Sequence, residues 1–144
     1  MKLDSKTFEH KDIQQEYDGI FQKYPIKDED RAYQWFATDV VGPLRSGARV
    51  LDLACGGGYF LKEVGRKNGV RTIGLDISGE AIKLAKGISP QSSYVLGVGE
   101  YLPFRAGTFD YVTCLGSLEH FLDPQCALEE IRRILAPGGK ILIL

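Results

Sequence analysis

The fold class predicted by this 144-residue sequence is α/β: a doubly wound, mostly parallel sheet preceded by helices. Three observations predict it. From Ala48 onward, short apolar runs alternate with amphipathic stretches, as expected for strands joined by crossover helices. Three consecutive glycines, Gly56 to Gly58, stand directly behind the first run, at the kind of strand-to-helix turn where such sheets bind ligands. Before residue 45 or so, the apolar spacing is helical instead.

The elements follow in order. Ile13, Tyr17, Ile20, Phe21 and Tyr24 mark one face of a helix over 12–24, which Pro25 ends. Asp28 is placed to cap a second helix with Ala32, Tyr33, Trp35, Phe36 and Val40 facing inward, and Gly42-Pro43 stops it. Strands are expected at 48–53, 71–76, 93–97, 109–114 and 140–144, with helices at about 57–68, 79–88 and 124–136. The last helix has Asp123 as N-cap, Pro124 at its first position and Leu128, Ile131 and Leu135 on one face. Pro137-Gly138-Gly139 then forms the stop. The expected organisation is one domain, 1–144: a helical cap over 1–45 and a sheet core over 46–144.

Composition excludes several classes. Lysine plus arginine number 18 and aspartate plus glutamate 19, with no basic stripe, so nucleic acid is not the expected partner. No apolar run is long enough to span a bilayer, and the polar amino terminus lacks a signal peptide's apolar core. Cys55, Cys114 and Cys126 are odd in number and widely spaced, which reads as reduced thiols in the cytoplasm. With His10 and His120 the only histidines, no metal site is expected.

The glycine loop carries the chemistry. Three consecutive glycines between a strand and a helix let the backbone come close to a ligand, and the helix behind them offers free N–H groups. A dinucleotide fingerprint needs a third glycine where Leu61 stands, and no Lys-Ser/Thr follows to make a phosphate loop. Asp52, at the end of the first strand, puts a negative charge beside the loop. Asp76, at the end of the second, is placed to accept from two ribose hydroxyls, and Ile77 can pack on a base. A ribose, an apolar ring and an amino-acid-like end together describe S-adenosylmethionine.

These residues resemble the class I S-adenosylmethionine-dependent methyltransferases, in particular the branch with the quinone-biosynthesis and related small-molecule enzymes. VLDLACGGG (50–58) is similar to the family's V-L-D-L-G-C-G-T-G motif, and GLDIS (74–78) to its ribose-binding acidic motif. GVGEYLPF (97–104) resembles G-D-A-E-x-L-P-F, FDYVTCLGSLEHF (109–121) the motif ending in L-E-H, and LEEIRRILAPGGK (128–140) the helix and P-G-G turn that follow.

The resemblance implies a Rossmann-like fold, methyl transfer to a small-molecule acceptor and S-adenosylhomocysteine as product. It implies that Asp52, Ala54 and Gly56 hold the methionine amino end, the latter two by backbone, and that Gly58 lies under the cofactor. Asp76 would bind the ribose, Ile77 would pack on adenine, Gly99 and Glu100 would lie at the adenine edge, and Leu115 would reach the methionine end by its backbone. Tyr17 and Tyr24 would cover the cofactor, unless they are core. His120 would sit on the rim as a general base for an acceptor that must lose a proton, or else simply pack its short turn.

Two residues depart from the pattern. Ala54 replaces a glycine. Val98 replaces an aspartate that accepts from the adenine amino group, a bond worth about 1.5–3 kcal/mol where it is made. Glu100 is the residue that would compensate.

Cys55 and Cys114 read as small buried residues ending adjacent strands, and Arg132 and Arg133 as a solvated helix face. The resembled fold has seven strands, so its last two are expected beyond this sequence. IleLeuIleLeu (141–144) would otherwise form an apolar edge needing a partner or a second copy. A non-catalytic or partner-dependent S-adenosylmethionine-binding module is the alternative to an enzyme. A nicotinamide oxidoreductase is disfavoured by Leu61.

Overall fold

The computed structural model describes residues 9–23, 30–67 and 69–144. Two helices come first, α1 (His10–Lys23) and α2 (Asp30–Trp35), the latter running into a π-helical turn, Phe36–Val40. Then follow β1 (Arg49–Leu53), α3 (Tyr59–Gly65), β2 (Arg71–Asp76), α4 (Gly79–Ile88), β3 (Ser93–Leu96) and β4 (Phe109–Cys114). A 3-10 turn (Leu118–His120), α5 (Pro124–Ile134) and β5 (Leu135–Ile143) complete the order. All strand pairs are parallel, in the order β3-β2-β1-β4-β5. The chain reverses its direction of winding between β1 and β4, so the carboxyl ends of these two strands open the crevice that a doubly wound sheet offers a ligand.

Strand alternation divides the interior in two. Leu51 and Leu53 of β1 and Val112 and Cys114 of β4 join Ile131 and Ile134 of α5 in one core. Val50 and Tyr111 point the other way, to Phe60, Leu61 and Val64 of α3 and Ala37 of the π turn. Cys55 belongs to the second core and Cys114 to the first, so the two thiols pack in separate interiors.

Four sequence expectations need correction. The first is Trp35, expected inside, which is 53% exposed and leans on Phe36 with ring centroids 5.0 Å apart. After α2 the helix widens into the π turn, and Ala37 and Val41 take the buried positions while Ala32 faces solvent. Lys67 Nζ holds this turn by donating to the carbonyls of Ala37 and Gly42.

The second is the last helix, which ends at Ile134 rather than 136. Pro137 disfavours helix in the residue before it, and Leu135 is already extended at φ −66, ψ 133. Pro137-Gly138-Gly139 is therefore a bulge inside β5. Leu135 pairs with Phe109, and pairing resumes with Lys140 opposite Tyr111. The third is Leu128, which is exposed because Ala127, Ile131 and Ile134 form the buried stripe of α5.

The fourth is Arg133, which is exposed as expected but is also a clamp. Its guanidinium donates to Glu130 and to the carbonyls of Leu102 and Phe104, while Glu130 accepts from Leu102 N–H. The segment between β3 and β4 is thereby fastened to α5. The Asp28 cap and Tyr24 lie outside the described residues.

Candidate functional site

A cavity of about 290 Å³ opens at the carboxyl ends of β1, β2 and β4, beneath α1. Its floor is the turn after β1. Gly56 and Gly58 have φ of 51° and 75°, and Ala54 is left-handed too at φ 53°. Those angles exclude regular helix, so α3 begins only at Tyr59, two residues later than the sequence suggests. Ala54 and Gly56 line the cavity. Gly58 packs away from it: a Cβ there would stand 2.9 Å from that of Ala85 and 3.0 Å from the Tyr94 hydroxyl.

Asp76 ends β2, 5% exposed and on the cavity wall. Its Oδ2 accepts from Gly56 N–H at 2.8 Å and its Oδ1 from Ser78 N–H at 2.8 Å. The carboxylate thus shapes the glycine turn and keeps lone pairs for a ligand. Burial raises its pKa, although both N–H groups oppose the rise. Asp52 lies deeper, 4% exposed, and accepts from Thr113 Oγ1 at 2.6 Å. Burial pushes it up to about 7, against the Thr113 bond and with the Asp76 charge adding to the rise. Asp76 on the wall and Asp52 behind it, which feels the Asp76 charge, favour a ligand that brings positive charge.

Ile77, Val98, Gly99, Glu100 and Leu115 all line the same cavity. Gly99 has no room for a side chain, because a Cβ there would overlap the Phe121 ring. Glu100 is 4% exposed; its Oε1 accepts from Asp123 N–H at 3.2 Å, and its Oε2 lies 3.3 Å from His10 Nε2. Its carboxylate is thus engaged with the start of α5, and His10 Nε2 of α1 stands near it without a hydrogen bond. His120 stands on the rim, about half exposed, with its ring 6.3 Å edge-on from Tyr17 and Nε2 3.7 Å from Glu119.

The roof is α1. His10, Ile13, Tyr17 and Phe21 recur at helical spacing and all line the cavity. Phe21 reaches the glycine turn, 3.5 Å from where a Cβ of Gly56 would be. Burial is the main reason the Tyr17 phenol is raised, and the charges of Glu16, Asp76 and Glu119 add to it. The thiols offer no nucleophile: burial raises Cys55 and lifts Cys114 to about 12.

Sequence reasoning passed over His10 and Asp18 as site residues. His10 continues the apolar stripe of α1 one turn earlier, a signal that was available. Asp18 accepts from Ser78 Oγ at 2.5 Å and Glu80 N–H at 3.2 Å, a pairing between residues about 60 apart that no local pattern announces.

Comparison with known proteins agrees with this geometry. Residues 51–143 match a family described as a methyltransferase domain. The ubiquinone biosynthesis O-methyltransferase of Xanthomonas oryzae pv. oryzae is 36% identical over 103 residues, covering 68% of this chain and 43% of that protein. Norajmaline N-methyltransferase of Rauvolfia serpentina is 32% identical over 115 residues, covering 76% of this chain and 39% of that protein. The chain thus spans about 43% or less of the length of these two relatives. Among solved structures, one chain from the complex of a Haloferax volcanii methyltransferase activator with a methyltransferase superposes with a TM-score of 0.72. It is 29% identical, and the match covers 89% of this chain and 59% of that one.

Proposed function

The chain belongs to the class I S-adenosylmethionine-dependent methyltransferases, and from that premise we propose that its cavity binds S-adenosylmethionine for methyl transfer to a small-molecule acceptor. The observation that carries the reading is the pairing of Gly56 N–H with Asp76, which sets a left-handed turn and a buried carboxylate on one cavity wall. The residues fit the group. Asp76 has free acceptor capacity for ribose hydroxyls, and Ile77, Gly99 and Glu100 lie where an adenine would be flanked. Asp52, Ala54, Gly56 and Leu115 would surround the methionine end, with Gly58 supporting the turn from behind. When bound, the cofactor supplies a methyl already activated by its sulfonium.

The protein's part is alignment and exclusion of water. The apolar face of α1 serves exclusion. His120, beside Tyr17, would take the proton from a hydroxyl or amine acceptor, the two acceptor atoms named for the relatives above. Free thiols at Cys55, Cys114 and Cys126 support a reducing, cytoplasmic setting. No helix among the described residues is long and apolar enough to cross a membrane. Exposed Ile141 on β5, the outer strand of the sheet, supports coverage by a second copy or a partner.

A non-catalytic or partner-dependent module is the second reading, favoured by Val98 on the cavity wall where the family has an aspartate. Calorimetry decides the binding reading. Saturable binding of S-adenosylmethionine and S-adenosylhomocysteine is expected, with loss in Asp76→Ala; heatless titration of folded protein at millimolar ligand refutes it. Turnover of any acceptor then separates enzyme from module.

A further inference from the structure

α1 carries the cavity roof, and its polar attachments fall on the site itself. At one end His10 Nε2 approaches Glu100 Oε2, and near the other Asp18 reaches the start of α4. The second attachment has an unusual partner. Ser78 is fully buried, and three of its polar connections point in three directions. Its N–H donates to Asp76 Oδ1, its Oγ accepts from Ala81 N–H to cap α4, and the same Oγ donates to Asp18 Oδ1 at 2.5 Å. Asp18 Oδ1 also accepts from Glu80 N–H. A single serine therefore joins the carboxylate on the cavity wall, the start of a helix and the roof.

We propose that Asp18 is a positioning residue, resting on the cofactor reading above: through Ser78 it pins α1 over the cavity, so that α1 and the ribose-facing Asp76 hold the cofactor as one unit. Geometry supports the assignment. Tyr17 precedes Asp18 and turns into the cavity, so the latch sits one residue from a roof side chain. An aspartate near the first N–H groups of α4 is also favoured electrostatically. Removing the Asp18 carboxylate leaves the Ala81-to-Ser78 cap and the Asp76 bonds in place, so the sheet and α4 keep their supports while α1 loses its pin.

The test uses the full chain, Asp18→Ala and Asp18→Asn, with hydrogen exchange of residues 10–23 and the affinity and dissociation rate of S-adenosylhomocysteine. Without ligand, Asp18→Ala is expected to raise exchange in α1 several-fold while β1, β2 and β4 stay as in the parent. Its affinity falls about tenfold, chiefly through faster dissociation, because the two hydrogen bonds that Asp18 accepts are lost and act on the ligand only through α1. Asp18→Asn recovers most of both effects, because its carboxamide oxygen still accepts from Ser78 and Glu80. Parent-like exchange in α1 for Asp18→Ala overturns the proposal. So does a rise spread evenly over the strands, which is general destabilisation, and so does equal loss in both variants. If the parent binds no S-adenosylhomocysteine, the cofactor reading fails, and the ligand-free exchange alone upholds or overturns the pin.

Discussion

Replacing Asp52 with asparagine should change how stability depends on pH more than it changes the fold. The carboxamide introduced by Asp52→Asn keeps the shape and can still accept from Thr113 Oγ1, as Asp52 does at 2.6 Å. In the native protein burial lifts the carboxyl from its ordinary 3.8 to about 7. Between those values the folded chain holds a proton that the unfolded chain has released. Stability contributed by this group is therefore greatest below the ordinary value, falls as pH rises, and levels off above 7. A shift of about three units corresponds to about 4 kcal/mol as a ceiling, and relaxation around the charge brings the expected loss to about 2–4 kcal/mol. Denaturant unfolding of both proteins at about pH 5 and about pH 8 measures it. Part of the effect is already spent below pH 5, so across that interval the parent should lose about 1–2.5 kcal/mol more than Asp52→Asn. Asp76 is raised in the same direction and is present in both proteins, so only its coupling to Asp52 enters the difference. Parallel pH profiles would refute the reasoning.

Two further outcomes follow from packing. Gly58→Ala combines a φ of 75° with a contact of 2.9 Å to Ala85 and should lower stability by about 2–4 kcal/mol in chemical unfolding, with no compensating gain in ligand affinity. Arg133→Ala unties Leu102 and Phe104 from α5 and should cost about 1–2 kcal/mol, read by thermal unfolding together with faster hydrogen exchange over residues 101–108. Arg133→Lys should recover little of it, since one ammonium cannot replace the planar fork.

The parts of the fold set by local chemistry were readable from sequence. β2 occupies 71–76, β4 109–114 and α4 79–88 as expected, because short apolar runs and amphipathic stretches between them have few alternatives. The Asp123-Pro124 start of α5 was equally plain, and Asp123 Oδ1 does accept from Cys126 N–H. What escaped depends on partners far along the chain. Nothing near Trp35 announces a π turn braced by Lys67. Arg133 reads as a surface charge until the β3–β4 segment is laid beside it. The same holds at the site. The glycine turn and Asp76 are legible because backbone angles and strand ends constrain them, and they sit together on one wall. The roof is legible only in part: Tyr17 belongs to a visible stripe, but the roles of His10 and Asp18 appear only once α1 lies across the sheet.

The hydrogen bond between Gly56 and Asp76 limits how the site can be redesigned. Changing a cofactor preference usually begins at the acidic residue ending the second strand, treated as a contact to the ribose alone. Here that residue also fixes the turn beneath the ligand, with one oxygen on Gly56 and the other on Ser78. An arginine or serine put there to admit a different nucleotide would remove two acceptors from the resting protein before any ligand arrived. Recognition and architecture share one carboxylate, so a successful switch must bring a new acceptor for the Gly56 amide along with the new contact.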